Sequence, residues 1–239
     1  MDLAAAVRTA GVVGAGGAGF PTHLKLAAGV ETVIVNGAEC EPLLRVDQEL
    51  MAREPAALVE ALAELLAALG AARGVFALKR KYAEAQEALR RTIAVHPEIR
   101  LFFLDDFYPA GDEHVLVHEV TGRTVPAGGI PLALGVVVIN VETLLNIGRA
   151  ARGEPVITKY ATVAGAVARP ATFAVPVGIT LAELVALAGG PTIPSFGLIA
   201  DGPLMGRVAA ESDVVTKTTK GVIVLPRDHP LLQARQVPL

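Results

Sequence analysis

Short apolar runs alternate with amphipathic stretches through the first part of the chain. Thr32-Val-Ile-Val-Asn36, Gly74-Val-Phe-Ala-Leu78, Ile99–Leu104 and Gly135-Val-Val-Val-Ile139 are apolar nearly throughout and rich in β-branched residues. That is the pattern of strands buried on both faces. Between and around them, Leu3–Ala10, Thr22–Ala28, Pro55–Leu69, Ala83–Ala94, His114–Thr121 and the segment from Asn140 to Ala151 read as helices, several of them closed by glycine. Strand–helix alternation of this kind predicts an α/β layered domain with parallel strands. The longest apolar run, Ala56 to Ala72, is interrupted by Glu60 and Glu64 and meets Gly70, so it reads as a buried helix and not as a membrane span.

The pattern changes at Gly153-Glu-Pro155, where a domain boundary is expected. Beyond it, Ala161–Ala168 and Thr172–Gly178 read as a hairpin, Leu181–Ala188 as a helix stopped by Gly189-Gly190, and Phe196–Ala200 and Gly221–Leu225 as strands. This is the element order of a small β-grasp domain. The expected organisation is an α/β domain over 1–153, a β-grasp domain over 154–226, and a Pro-containing tail over 227–239 with no element to pack, leading to a missing segment. The tip Asp201–Gly206 and the polar run Thr216–Lys220 are read mainly as turn and packing features, with ligand contact as the alternative.

Composition narrows the function classes. With 52% hydrophobic and 19% charged residues and a net charge of −3, the chain has neither a disordered character nor the basic excess of a nucleic-acid binder. The N-terminal Met-Asp-Leu-Ala-Ala-Ala-Val-Arg has no secretory pattern, so a cytoplasmic protein is expected. Cys40 is the only cysteine, which excludes an internal disulfide and an iron–sulfur cluster held by four cysteines of this chain.

The most specialised stretch is Gly11-Val-Val-Gly-Ala-Gly-Gly-Ala-Gly-Phe-Pro-Thr-His-Leu-Lys25. Glycines at 14, 16, 17 and 19 can turn amide N–H groups toward one concave point, because glycine accepts positive φ and lets an anion approach the backbone. Pro21 suits the first turn of a following helix, whose N-terminus would add partial positive charge, and Lys25 supplies a full charge. A tight turn without ligand is the alternative. A dinucleotide fold is a second one: Glu39 lies where a ribose-binding acid would stand, but a helix and not a strand precedes the glycines.

Further polar groups follow the strands, at the ends where open α/β sheets bind ligands. Asn36-Gly-Ala-Glu-Cys-Glu-Pro42 offers Asn36, Glu39 and Glu41 to a heterocycle or ribose, or simply forms a solvated loop. In Asp105-Asp-Phe-Tyr-Pro-Ala-Gly-Asp-Glu113 the acids either face a ligand or complement a helix dipole. Asn140 is an N-cap or a ligand contact. Cys40 reads as a small buried residue, Lys79-Arg-Lys81 as a solvated strand end, and His114 with His118 as a poor metal site lacking a third ligand.

In combination, Gly14-Ala-Gly-Gly-Ala-Gly-Phe-Pro-Thr, Asn36-Gly-Ala-Glu-Cys-Glu-Pro, Tyr108-Pro-Ala-Gly-Asp-Glu and Asn140-Val-Glu-Thr resemble the flavin-binding motifs of the NADH-oxidising subunit of complex I and its relatives. Among these relatives are the RnfC flavoproteins and the PduS-type cobalamin reductase. Residues 156–225 resemble the SLBB β-grasp domain that follows in such proteins. The resemblance implies a non-Rossmann FMN-binding α/β domain, with Gly14, Gly16, Gly17, Gly19 and Lys25 at the FMN phosphate and ribityl chain. It puts Asn36, Glu39, Tyr108 and Asn140 around the flavin, and Phe20, Glu41 and Glu113 toward NADH. Ala38 stands where the complex I pattern has aspartate, and Ile139 where it has a first asparagine. The implied function is that of an NADH-oxidising electron-transfer flavoprotein. Hydride would go from NADH to FMN, and single electrons to a downstream carrier, with 4Fe–4S clusters in a missing segment or a partner subunit. Implied partners are a corrinoid enzyme or microcompartment proteins, and the implied locations are the cytoplasm, a bacterial microcompartment or the periphery of a membrane complex. A non-catalytic docking module of an electron-transfer assembly is the rival reading.

Overall fold

The computed structural model describes residues 2–26 and 29–234. The chain divides into two compact units, one made of Met1–Gly14, Phe20–Cys40 and Asp47–Val156, the other of Ala15–Gly19, Glu41–Val46 and Ile157–Leu239.

The first unit is built on a four-stranded parallel sheet. Its strands are β1 (Thr32–Gly37), β2 (Arg73–Lys79), β3 (Ile99–Leu104) and β4 (Val136–Asn140), in the order β3-β2-β1-β4. The helices are α1 (Leu3–Thr9), α2 (Val46–Arg53), α3 (Pro55–Leu69), α4 (Ala83–Thr92), α5 (Glu113–Thr121) and α6 (Val141–Ala151). One face of the sheet, with Ile34, Ala77, Val136 and Val138, packs on Leu116 and Val117 of α5. On the other, α3 lies so close that a Cβ at Gly74 would stand 2.9 Å from Leu62. Burial on both faces explains why β1, β2 and β4 read as continuous apolar runs, while β3 at the sheet edge is mostly half-buried and exposes Arg100.

The second unit holds a five-stranded mixed sheet of order β6-β5-β9-β7-β8, formed by β5 (Thr158–Gly165), β6 (Ala171–Pro176), β7 (Phe196–Ala200), β8 (Arg207–Ala209) and β9 (Gly221–Pro226). The β5–β6 hairpin is antiparallel, while β5 and β9 pair in parallel at the centre. Helix α7 (Leu181–Leu187) buries Leu181, Leu184 and Val185 against the sheet. A reciprocal capping box between Thr180 and Glu183 opens it, satisfying two backbone donors that the first turn leaves over. This is the β-grasp arrangement expected from the sequence.

Three local expectations are corrected. Thr22–Ala28 is not a two-turn helix: a single 3-10 turn covers Thr22–Lys25, and Ala27 and Ala28 lie outside the described residues. Pro21 pairs antiparallel with Val13, and the Thr22 N–H donates to the Val12 carbonyl. The chain is therefore still extended where the helix was expected to begin. Lys79 is not solvated; it is buried, and it is paired with Asp106 at 2.9 Å. The tail carries a short helix, α8 (Pro230–Ala234), whose Leu232 is buried and lies over Gly197. Residues 235–239 lie outside the described residues. Among the described residues no helix is long and apolar enough to cross a membrane.

Candidate functional site

The C-terminal edge of the parallel sheet gathers the polar residues of the first unit, as this topology favours. Asn36 on β1 and Asn140 on β4 are register partners, so two carboxamides stand side by side at that edge. Each organises a loop. The Asn36 Nδ2 donates to the Gly111 carbonyl at 2.9 Å, and its Oδ1 accepts from the Ala38 N–H at 3.0 Å, tying the loops after β1 and β3 together. The Asn140 Oδ1 accepts from Glu142 and Thr143 N–H at the start of α6, and its Nδ2 donates to the Asp47 carboxylate at 3.0 Å. The capping role of Asn140, one of the two left open by the sequence, is thus present in the fold.

Glu39 and Cys40 follow Asn36 in the same loop. The Cys40 Sγ accepts the Gly111 N–H at 3.1 Å, and a Cβ at Gly111 would stand 3.2 Å from it. The loops meet here at backbone distance. The Tyr82 hydroxyl donates to the Glu39 carbonyl, and burial, followed by the Glu39 and Asp47 carboxylates, holds the phenol well above its ordinary pKa. Tyr82 therefore stays a neutral hydrogen-bond donor.

Lys25 stands at the end of the 3-10 turn. Its ammonium is ion-paired with Glu113, donates to the Val138 carbonyl at 3.1 Å, and lies 5.7 Å from the Phe20 ring centroid. Lys25, Phe20 and Glu113, which the sequence divided between flavin and NADH, thus form one cluster. Tyr108 is joined to Pro109 by a cis peptide bond and is 57% exposed, with Phe20 44% exposed. Both aromatic side chains are exposed, the Phe20 ring with the Lys25 ammonium over it.

The glycine segment has a closed base, since the Gly14 N–H donates to the Phe20 carbonyl at 2.9 Å. Positive φ falls at Gly17 (117°) and Gly19 (64°), not at Gly14 or Gly16. The positive-φ reason expected for all four glycines therefore applies at 17 and 19 only. A Cβ at Gly17 would meet no atom within 4 Å, so the requirement there is conformational and the backbone is bare on that side.

Glu41 belongs to the second unit. Its two carboxylate oxygens accept the N–H groups of Leu204 and Met205, at 2.8 and 2.6 Å.

Asp112 caps α5 through the His114 and Val115 N–H groups, the bland role the sequence allowed it. His114 and His118 are exposed, and the described residues hold no cluster of three or more His, Cys, Asp or Glu side chains placed for a metal ion. Sequence reasoning missed Asp47, Tyr82 and Gly111. Asp47 could have been found, because it shares a helical face with Leu50 and Met51, and an acid on an apolar face needs a partner.

Known proteins resemble this chain along nearly its whole length. The model of the Nuo51 FMN-binding domain matches residues 7–149, and that of the SLBB domain matches residues 160–208. A cobalamin reductase PduS of Salmonella typhimurium is 52% identical over 231 residues, covering 96% of this chain and 51% of that protein. A component of the Na(+)-translocating ferredoxin:NAD(+) oxidoreductase complex of Acetobacterium woodii is 35% identical, covering 93% of this chain and 52% of that one. Among solved structures, an NAD+-reducing [NiFe]-hydrogenase in the H2-reduced state superposes with a TM-score of 0.77 at 25% identity, over 95% of this chain and 47% of that one. The chain spans about half the length of the curated relatives it matches.

Proposed function

Because this chain belongs to the Nuo51 FMN-binding domain family, whose model matches residues 7–149, we propose that it binds FMN and oxidises NADH as an electron-transfer flavoprotein. The observation that carries the reading is the meeting of the family's sequence motifs with the geometry of the sheet edge. Asn36 and Asn140 lie side by side there, and Lys25 is a partly exposed cation held among Phe20, Glu113 and the Val138 carbonyl.

The residues fit the flavin nucleotide. The bare backbone at Gly17 and the left-handed conformation at Gly17 and Gly19 suit close approach by a phosphate, and Gly14 and Gly16 complete the segment. Lys25 would neutralise that phosphate. Asn36, Glu39, Tyr108 and Asn140 would surround the ring system, Asn36 and Asn140 by fixing the loops that bear its contacts, and the exposed Tyr108 by its aromatic face. Phe20, Glu41 and Glu113 would meet the nicotinamide nucleotide. FMN, when bound, supplies the conversion between a two-electron hydride donor and one-electron carriers. The protein's part is to bind, orient and exclude water. Single electrons would leave for 4Fe–4S clusters in another segment or a partner subunit. The 52% identity to a cobalamin reductase supports a corrinoid as the final acceptor.

FMN fluorescence titration tests the reading. Wild type is expected to quench FMN stoichiometrically, and NADH to bleach the bound flavin. Lys25→Ala removes a charge-assisted hydrogen bond and Gly17→Ala forces a side chain to positive φ, at about 1–3 kcal/mol each, so each should weaken FMN about fivefold or more. A wild-type protein that takes up no flavin would leave only the docking-module reading.

A further inference from the structure

Glu41 ends a loop that is fixed at several points within the second unit. Leu44 is buried, and a Cβ at Gly221 would stand 2.9 Å from its Cδ2. The Arg45 N–H donates to the Thr162 Oγ1 at 3.0 Å. Between these anchors and Glu41, Leu43 is held at φ 69° although 54% exposed, a left-handed conformation that a leucine adopts only when its surroundings impose it. Such strain is held where the position of the segment matters more than its ease.

The turn that receives Glu41 is equally fixed. Asp201, at φ 65°, donates its N–H to the Gly221 carbonyl and accepts the Lys220 N–H on its Oδ1 at 2.7 Å. Gly202, at φ 101°, accepts the Gly206 N–H on its carbonyl. This winding leaves the Leu204 and Met205 N–H groups directed at the carboxylate, one to each oxygen. A Cβ at Gly202 would fall on that carboxylate, so glycine there is required by the contact itself as well as by φ. The side chains of Leu204 and Met205 point to solvent, 48% and 78% exposed, so their backbone is what the site uses.

We infer that the Asp201–Gly206 turn of the β-grasp domain is a positioning device for Glu41 and so a determinant of nicotinamide-nucleotide affinity. This rests on the reading above that Glu41 meets that nucleotide. A carboxylate offers about four lone-pair sites, so two bonds from the turn fix its plane without exhausting its capacity to accept from hydroxyl groups of the nucleotide. An acceptor oriented before binding loses no rotamer freedom on binding, which lowers the cost of association. Gly202 and the two amides therefore act through Glu41.

The test is a double-mutant cycle on the full chain loaded with FMN. Gly202→Ala is expected to raise the KM for NADH about tenfold, the effect of losing about one charge-assisted hydrogen bond, with kcat and FMN affinity near wild type. In a Glu41→Ala background the same change has no carboxylate to displace and should move KM less than about twofold. Hydrogen exchange supplies a readout without any change at 202: the Leu204 and Met205 amides should be protected in wild type and exchange faster in Glu41→Ala. Wild-type KM in Gly202→Ala, an equal rise in both backgrounds, or unchanged exchange at 204 and 205 would overturn the inference. Failure of wild type to bind flavin would instead overturn the functional reading beneath it.

Discussion

At the level of single residues, the proposed site holds contacts that a bound nucleotide would alter. Lys25 is engaged by Glu113 and by a backbone carbonyl, so on the proposed reading a phosphate would compete with a carboxylate for the same ammonium. Glu113→Gln removes the competitor and leaves the cation. FMN is therefore expected to bind about two- to fivefold tighter, within the modest strength of a partly exposed pair, while the KM for NADH rises. Fluorescence titration and steady-state kinetics read the two effects separately, and weaker FMN binding would show that Glu113 serves the flavin directly. Asp106 lies at the same sheet edge and accepts hydrogen bonds from Lys81 and from the buried Lys79, which lower its pKa to about 2. Because the folded value lies below the unfolded one, about 3.9, its contribution is complete above that value and lost as pH falls toward 2. Asp106→Asn should thus lower the unfolding midpoint at neutral pH and approach wild type only as pH falls below about 2. Sequence alone singled out Lys25, Asn36 and Asn140 as candidates. It could not tell which of two roles an asparagine fills, because the deciding partners, Gly111 and Asp47, lie 75 and 93 positions away.

At the level of elements, legibility followed the length and regularity of the pattern. Pro55–Leu69 and Ile99–Leu104 were readable to the residue, since proline and left-handed Gly70 bracket the first and the second is an apolar run broken only by the exposed Arg100. The segment after Gly19 was misread because local helix signals, Pro21 and the residues after it, were outweighed by the antiparallel closure between Val13 and Pro21, a contact that no periodicity announces. Helices α2 and α8 and strand β8 are short, and pattern is weak over so few residues. Helix α6 shows an element serving the site. Its first turn is closed by Asn140, and it begins at the residue after β4, so the cap also fixes where the strand edge ends. Asn140→Ala forfeits the cap, about 1 kcal/mol, and strips Asp47 of a donor. Thermal unfolding is expected to shift down by about 2–4 °C per kcal/mol lost. An unchanged midpoint would mean that water replaces both interactions.

At the level of the whole molecule, the two units are not successive in sequence, because Ala15–Gly19 and Glu41–Val46 group with the β-grasp domain although they interrupt the first. The glycine loop and Glu41 stand out in the sequence by residue type, but their grouping does not, since it depends on packing such as Leu44 against Gly221 and Gly19 beside Thr218. On the proposed function, the same scale decides how far electrons would travel. A four-cysteine cluster needs thiolates, and the chain has one cysteine, Cys40, whose sulfur already accepts the Gly111 N–H. The FMN-loaded chain is therefore expected to let NADH reduce small artificial acceptors that diffuse to the flavin. It should transfer little to ferredoxin or to cob(III)alamin until a cluster-bearing segment or partner is added. Stopped-flow bleaching of the flavin by NADH, followed by mixing with each acceptor, measures the difference. Rapid reoxidation by ferredoxin or cob(III)alamin with this chain alone would show that the exposed edge bearing Tyr108 and Phe20 passes electrons without a relay.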